Sequence, residues 1–318
     1  MRRFLSILLL SSIFTFGVDT ITPDYTIEIN GTAKDMVLRG DNLVVATDMG
    51  HIEIFNYKEK KKVKEVKIPD IKDFMGDIVP ARVMSVDEID GKYLLLSDSG
   101  KGGYSNLFIY QDGNLTQILS PDDKRAIIKA RFIDKDHILF GYLSDEVSLF
   151  DLKSKKEIYR KQISESKFSD FALNENKTQA VFSCESGVLS VIDVESGDII
   201  AELKGLNVDN VYRVDFKNGY VSGAGQDRRG SIYNVKTKNG YYIQGSFLIY
   251  STALSPSAKK VAFSMDEKNN IYIYNTDTKT NTAILKGQKS TLNVIIFKDE
   301  NHLFSASDDN TIMAWKLN

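Results

Sequence analysis

Three features of this chain predict an all-β fold, a seven-bladed β-propeller. Seven short apolar segments each close on a bulky residue: Phe55, Tyr110, Phe150, Ile192, Tyr233, Tyr274 and Trp315. The intervals between these residues are 55, 40, 42, 41, 41 and 41. A period of about 40–45 residues holding several short strands is that of a propeller blade. Polar turns rich in Gly and acidic residues separate the apolar runs, as tight hairpins require. The 318 residues exceed the usual size of one domain, but repeat folds grow as one unit.

Residues 1–17 stand apart from the repeat. Arg2 and Arg3 are followed by an almost wholly apolar stretch from Phe4 to Phe14, then by Thr15 and Gly17 at spacing suited to cleavage. That three-part layout reads as a secretory signal peptide, leaving residues 18–318 as one propeller. An uncleaved anchor is the alternative, but the stretch is short of the roughly 20 residues that span a bilayer. Arg2-Arg3-Phe4-Leu5 lacks the intervening residue of a twin-arginine signal. Export by the general secretory route to the periplasm is therefore expected, with no stable membrane insertion after cleavage. The single Cys184 lies in a strand-like run and is expected to be buried and inert.

Within each unit four strands, a to d, are expected. Blade four shows them as Phe168–Leu173, Thr178–Ser183, Val188–Asp193 and Ile199–Leu203. Its imperfect alternation suits a sheet buried on both faces between neighbouring blades. The other b–c hairpins fall at Leu43–Phe55, Tyr93–Tyr110, Ile138–Phe150, Tyr220–Tyr233, Val261–Tyr274 and Leu303–Trp315. Blade seven shows only three strands of its own. Tyr25–Ile29, a strand-like run with no blade, is expected to pair beside Thr311–Trp315 and close the ring, removing open edges.

Charge and motif content exclude several functions. A formal net charge of −2, from 41 basic and 43 acidic residues, offers no basic excess for nucleic acid. His51, His137 and His302 are the only histidines, and none stands at a spacing suited to zinc or haem ligation. No Gly-x-Ser-x-Gly elbow occurs. The glycine-rich run at 100–103 lacks the Lys-Ser/Thr pair and helix of a phosphate cradle. The expectation is a non-enzyme with no cofactor, no metal and no catalytic residues, acting as a monomer through a protein partner.

Three segments carry a family resemblance. "LKGLNVDNVYRVDF" (203–216) and "LKGQKSTLNVIIF" (285–297) resemble the lead into strand a of WD-repeat propellers. "SASDDNTIMAWK" (305–316) resembles the family's b–c hairpin, with Asp309 at the turn and Trp315 at the tryptophan. The family's Gly-His pair is replaced by Gly205-Leu206 and Gly287-Gln288, and Lys316 replaces the Asp after Trp315. The internal hydrogen-bond network of regular WD repeats is therefore expected to be mostly absent. In size and pattern the chain is also similar to the L-type accessory proteins of periplasmic nitrate reductase systems, which implies a periplasmic redox enzyme component as partner.

Blade two breaks the period. Its extra length falls in the preceding d–a connection, "IPDIKDFMGDIVPA" (68–81), and in its b–c loop, "DSGKGGYS" (98–105). Propeller d–a and b–c loops emerge on one face, so Ile71, Phe74, Met75, Lys101 and Tyr104 are candidate partner-binding residues. They could equally fold back over blade two. Arg228 and Arg229, in the b–c loop of blade five, join the same face; arginine is favoured at binding hot spots. Aligning the blades puts Asp35, Val83, Lys129, Asp170, Arg213, Ser251 and Val294 in one column of strand a beside the channel mouth. Lys129, Asp170 and Arg213 are candidates there, either for recognition or for a satisfied charge network. Two other readings remain: a propeller lactonase or hydrolase with a channel metal near Asp35 and Asp170, and an outer-membrane assembly propeller, which would usually carry a lipidated cysteine.

Overall fold

A computed structural model describes residues 18–318; the signal peptide expected over residues 1–17 lies outside them. Seven antiparallel sheets stand around a channel, and strand a of each is innermost. Blade one comprises Ala33–Arg39, Asn42–Thr47, His51–Asn56 and Lys61–Lys67, and blade four comprises Phe168–Leu173, Gln179–Cys184, Leu189–Asp193 and Ile199–Leu203. The strands b and c are buried along most of their length, because each sheet is covered on both faces by its neighbours. The outermost strands are polar. Lys61–Lys67 exposes every residue but Val66, and lysines on an edge discourage pairing with another chain. Apolar clusters fill the gaps between adjacent blades, such as Leu96, Leu107, Ile127 and Phe140 between blades two and three.

Ring closure follows the sequence expectation. Tyr25–Glu28 runs antiparallel to the last strand, Thr311–Lys316, with Tyr25 opposite Ala314 and Glu28 opposite Thr311. The Ile29 amide extends the pairing by donating to the Asn310 carbonyl at 2.9 Å. Ile27 and Ile29 enter a cluster with Met36, Leu43, Phe55, Phe304 and Ile312, which joins blade seven to blade one. A further strand escaped the sequence: Asp19–Ile21 lies parallel to Asn281–Leu285 as a fifth strand on blade six. The N-terminal segment therefore laces two blades, and three half-exposed residues carry too little pattern to announce it.

Blade seven is an exception to the expected scarcity of internal WD-type networks. Trp315 Nε1 donates to Ser305 Oγ at 2.8 Å, and Gln288 Nε2 donates to the same oxygen at 2.7 Å. Ser307 Oγ then donates to Gln288 Oε1 at 3.0 Å. Gln288, standing where a histidine was expected, carries a donor and an acceptor on one planar group and so completes a buried chain. Among the described residues no helix is long and apolar enough to cross a membrane.

Closure sets a stability prediction. Ile27→Ala should cost about 2–4 kcal/mol, as for a buried aliphatic truncation. Deleting residues 18–30 should cost more and lower the melting temperature sharply. Urea unfolding and calorimetry measure both; a deletion that unfolds like the intact chain would rule out closure by this strand.

Candidate functional site

Two places gather the residues singled out in the sequence: the blade-two rim and the channel. The rim is built by the insertion before blade two, which folds as its own hairpin, Ile71–Lys72 paired with Ile78–Val79. Its tip is a fixed turn. Asp73 accepts from the Met75 and Asp77 amides, each at 2.9 Å, and the Gly76 amide donates to the Asp73 carbonyl at 3.1 Å. An aspartate taking local amides in this way holds a turn without tertiary support. Ile71 packs on the blade-two core, whereas Phe74 is 92% exposed, Met75 74% and Ile78 64%. One wall of the insertion thus covers the blade, and its tip presents a phenyl ring and a thioether to solvent.

Both blade-two additions meet. Gly100, in the b–c loop, has φ +69°, and a Cβ there would lie 2.0 Å from the Lys72 carbonyl oxygen. Only glycine permits that approach. Ser99 Oγ donates to the Tyr104 carbonyl at 2.6 Å, so the loop is tied to itself as well. Lys101 is exposed and Tyr104 half-buried. Arg228 and Arg229 lie on the same face but three blades away. Arg228 is exposed, while Arg229 is committed to the Leu206 carbonyl at 3.0 Å and to the Tyr242 ring, 4.5 Å from its centroid.

The channel column differs from the alignment at one blade. Ser85, not Val83, pairs with strand b at the column position, opposite Leu96; Val83 sits two residues earlier, beyond a bulge. The same bulge recurs in blades one, three, four, five and seven, so Val83 is the counterpart of Ala33, Ile127, Phe168, Val211 and Leu292 rather than of Asp35. Asp35 and Arg131 form a bidentate pair, with Nη1–Oδ2 at 2.7 Å and Nη2–Oδ1 at 2.8 Å. Arg131 Nη1 also donates to Ser85 Oγ at 2.7 Å. Lys129 Nζ donates to Asp170 Oδ1 at 2.5 Å, and Arg213 Nη1 lies 3.5 Å from the same oxygen. Arg213 Nη2 reaches across to the Lys34 carbonyl at 3.1 Å. Arg39 pairs with Asp87 at the next level down.

Burial pushes the Asp35 carboxyl up, but the Arg131 guanidinium, aided by Lys129, overcomes it and holds the carboxyl at about 2. Burial pulls Lys129 below the ordinary lysine range, and Asp170 only partly offsets it. Asp35 and Asp170, the carboxylates a channel metal would need, are thus taken by cations. Among the described residues no group of three or more His, Cys, Asp or Glu is placed to hold a metal ion. Below the column a cavity of about 330 Å3 extends toward the a–b turns, on the side opposite the blade-two rim. Arg131, Asp87, Arg39 and Lys177 were not singled out in the sequence. For Arg131, Asp87 and Arg39 the signal was a charge set inside an apolar strand-a run, as in "VMSVDEI" and "IIKARF"; Lys177, in the a–b turn of blade four, carried none.

One further carboxyl on the loop face is buried without full satisfaction. Asp145 Oδ2 accepts from Ser164 Oγ at 2.5 Å, but Oδ1 has no partner. Burial pushes this carboxyl up to about 6 against that hydrogen bond.

Comparison with known proteins assigns no family: no family model matches the chain, and no curated protein matches it.

Two predictions arise here. Arg131→Met leaves Asp35 buried and unpaired, and should cost about 3–5 kcal/mol at neutral pH. Because the folded Asp35 carboxyl titrates below its unfolded value, that loss should shrink as pH falls from about 4 toward 2. Asp145 has the opposite sign. Its protonated form is favoured on folding, so it is harmless below about pH 4 and costs stability as pH rises through 6. Asp145→Asn should therefore gain up to roughly 3 kcal/mol at pH 8 and nothing near pH 4. Urea titrations at pH 8, 4 and 2 decide both.

Proposed function

We propose that this protein is an exported, non-catalytic interaction propeller of the WD-repeat type that presents the blade-two finger to a protein partner. The observation that carries this reading is the finger itself: an apolar tip, Phe74-Met75, held in a turn fixed by Asp73 and almost fully exposed. Aromatic and Met side chains are enriched at interface cores, and a rigid loop loses little entropy on binding. Gly100 under Lys72 locks the finger to the rest of blade two, so the tip is positioned by the ring rather than by its own loop alone.

The kinship with WD repeats is supported by the Trp315–Ser305–Gln288–Ser307 chain. The role is that of an accessory or maturation factor, and the partner a component of a periplasmic redox enzyme, in the first instance a nitrate reductase system. That partner rests on the size and pattern of the sequence.

A photo-crosslinking residue at position 74, with capture from the native envelope, tests the reading. The expected result is a discrete adduct that Met75→Asp abolishes while stability changes by less than about 0.5 kcal/mol, as for an exposed site. Capture unaffected by Met75→Asp would discard the finger as the contact. A redox enzyme subunit in the adduct supports the narrower role, and an adduct without one rejects it.

A further inference from the structure

The channel cavity has no part in that proposal, and it opens away from the finger. Its charges do not balance. Arg39, Lys129, Arg131, Lys177, Arg213 and Lys217 line it against Asp35, Asp170, Glu175 and Asp215. Arg131 is matched by Asp35 and Arg39 by Asp87, behind the wall. Lys217 lies 3.8 Å from Asp215. Glu175 turns away to accept the Asn218 amide at 2.6 Å. Asp170 must then serve both Lys129 and Arg213, while its second oxygen accepts the Val214 amide at 3.1 Å. One carboxylate faces two cations, and Lys129 is nearly buried, with a side chain 12% exposed. Lys177, nearer the a–b turns, has only the Phe132 carbonyl, at 2.8 Å, as a hydrogen-bond partner among the described residues. Buried charge without a counter-charge is costly, and a cationic wall in a concave, low-dielectric site concentrates anions.

The opposite wall is apolar. Leu38, Val294 and Ile296, on blades one and seven, are half-buried where they border the cavity. The volume, about 330 Å3, exceeds what one inorganic oxyanion fills and lies at the lower end of small-molecule sites.

We propose that the channel binds a small organic carboxylate, its anionic head between Lys129 and Arg213 and its hydrocarbon body against Leu38, Val294 and Ile296. The head supplies the second negative charge that Asp170 alone does not. The body takes the apolar wall, which gives no purchase to a bare ion.

Titration calorimetry of the full mature chain tests this, with benzoate as probe, benzyl alcohol as its neutral counterpart and inorganic phosphate as the bare oxyanion. Arg213→Gln is the informative variant. It keeps a donor for the Lys34 carbonyl and leaves Lys129 and Asp170 as a balanced pair, so it should fold with a melting temperature no lower than that of the wild type. The expected result is saturable benzoate binding that weakens about tenfold or more in Arg213→Gln, with benzyl alcohol and phosphate binding much more weakly. No saturation by about 10 mM benzoate, equal binding by a folded Arg213→Gln, or phosphate binding as tight as benzoate overturns the proposal. Loss of the finger's partner would leave these outcomes untouched, since the two sites share no residue.

Discussion

The ring depends on one device, a carboxylate on strand a that reaches the next blade. Strand a is the inner edge of every sheet, so its channel-side amides have no strand to pair with, and a buried amide without a partner is costly. Asp35 accepts the Val86 amide at 3.0 Å, Asp87 the Phe132 amide at 2.9 Å, Asp170 the Val214 amide at 3.1 Å and Asp215 the Leu254 amide at 2.8 Å. Each bond crosses from one blade to its successor. The acids thus cap an edge and tie neighbouring sheets at the same time. Their own charge then needs an answer, and Arg131, Lys129, Arg213 and Arg39 provide it. The charged channel is a consequence of how the blades are joined, before it is anything else.

Three junctions lack that tie and use other means. Between blades three and four, Phe168 and Phe171 press on Gly141, where a Cβ would lie 2.7 Å from the Phe168 ring. Glu300 holds the Ser257 amide at 2.7 Å between blades six and seven. Blades seven and one are joined by the Ile27–Phe304 cluster and by Asn293, which donates to the Ala33 carbonyl at 3.1 Å. Blade seven itself is closed by backbone pairing of Tyr25–Glu28 with Thr311–Lys316, and non-directional packing then seals its junction with blade one.

The period and the closure were legible because they rest on burial. Residues such as Phe55 and Trp315 recur where each third strand passes between two sheets, and Tyr25–Ile29 was apolar without a blade to serve. The channel was legible only in part. Asp35, Lys129, Asp170 and Arg213 were found because they share a column, but in blade two, where the period breaks, the column falls on Ser85 and not on Val83. Arg131 and Asp87 lie two residues beyond the column, and pairing between strands a 96 residues apart has no local signature. The role of Gln288 was hidden for a different reason. The sequence showed that a histidine was missing but could not show that an amide, with one donor end and one acceptor end, links Ser305 to Ser307 in its place.

The blade-two insertion differs from everything else in the ring because the fold does not need it. Blade two has all four strands without the hairpin, Val83–Ile89, Lys92–Asp98, Ser105–Gln111 and Asn114–Leu119. The core beneath the hairpin is filled by Val83 and Leu95 with Ile68 and Ala81, the two ends of the connection that carries it. Ile71 adds to that cover, which accounts for one apolar residue of the insertion. Phe74 and Met75 add nothing to it. A phenyl ring left almost wholly in water contributes nothing to folding and raises the risk of aggregation. Folding would be served as well by a polar tip, and the partner contact proposed above gives these two exposed side chains a role that the ring itself does not. The rigidity of the turn fits the same reading, since Asp73 and Gly100 fix a tip that has no internal contact to preserve.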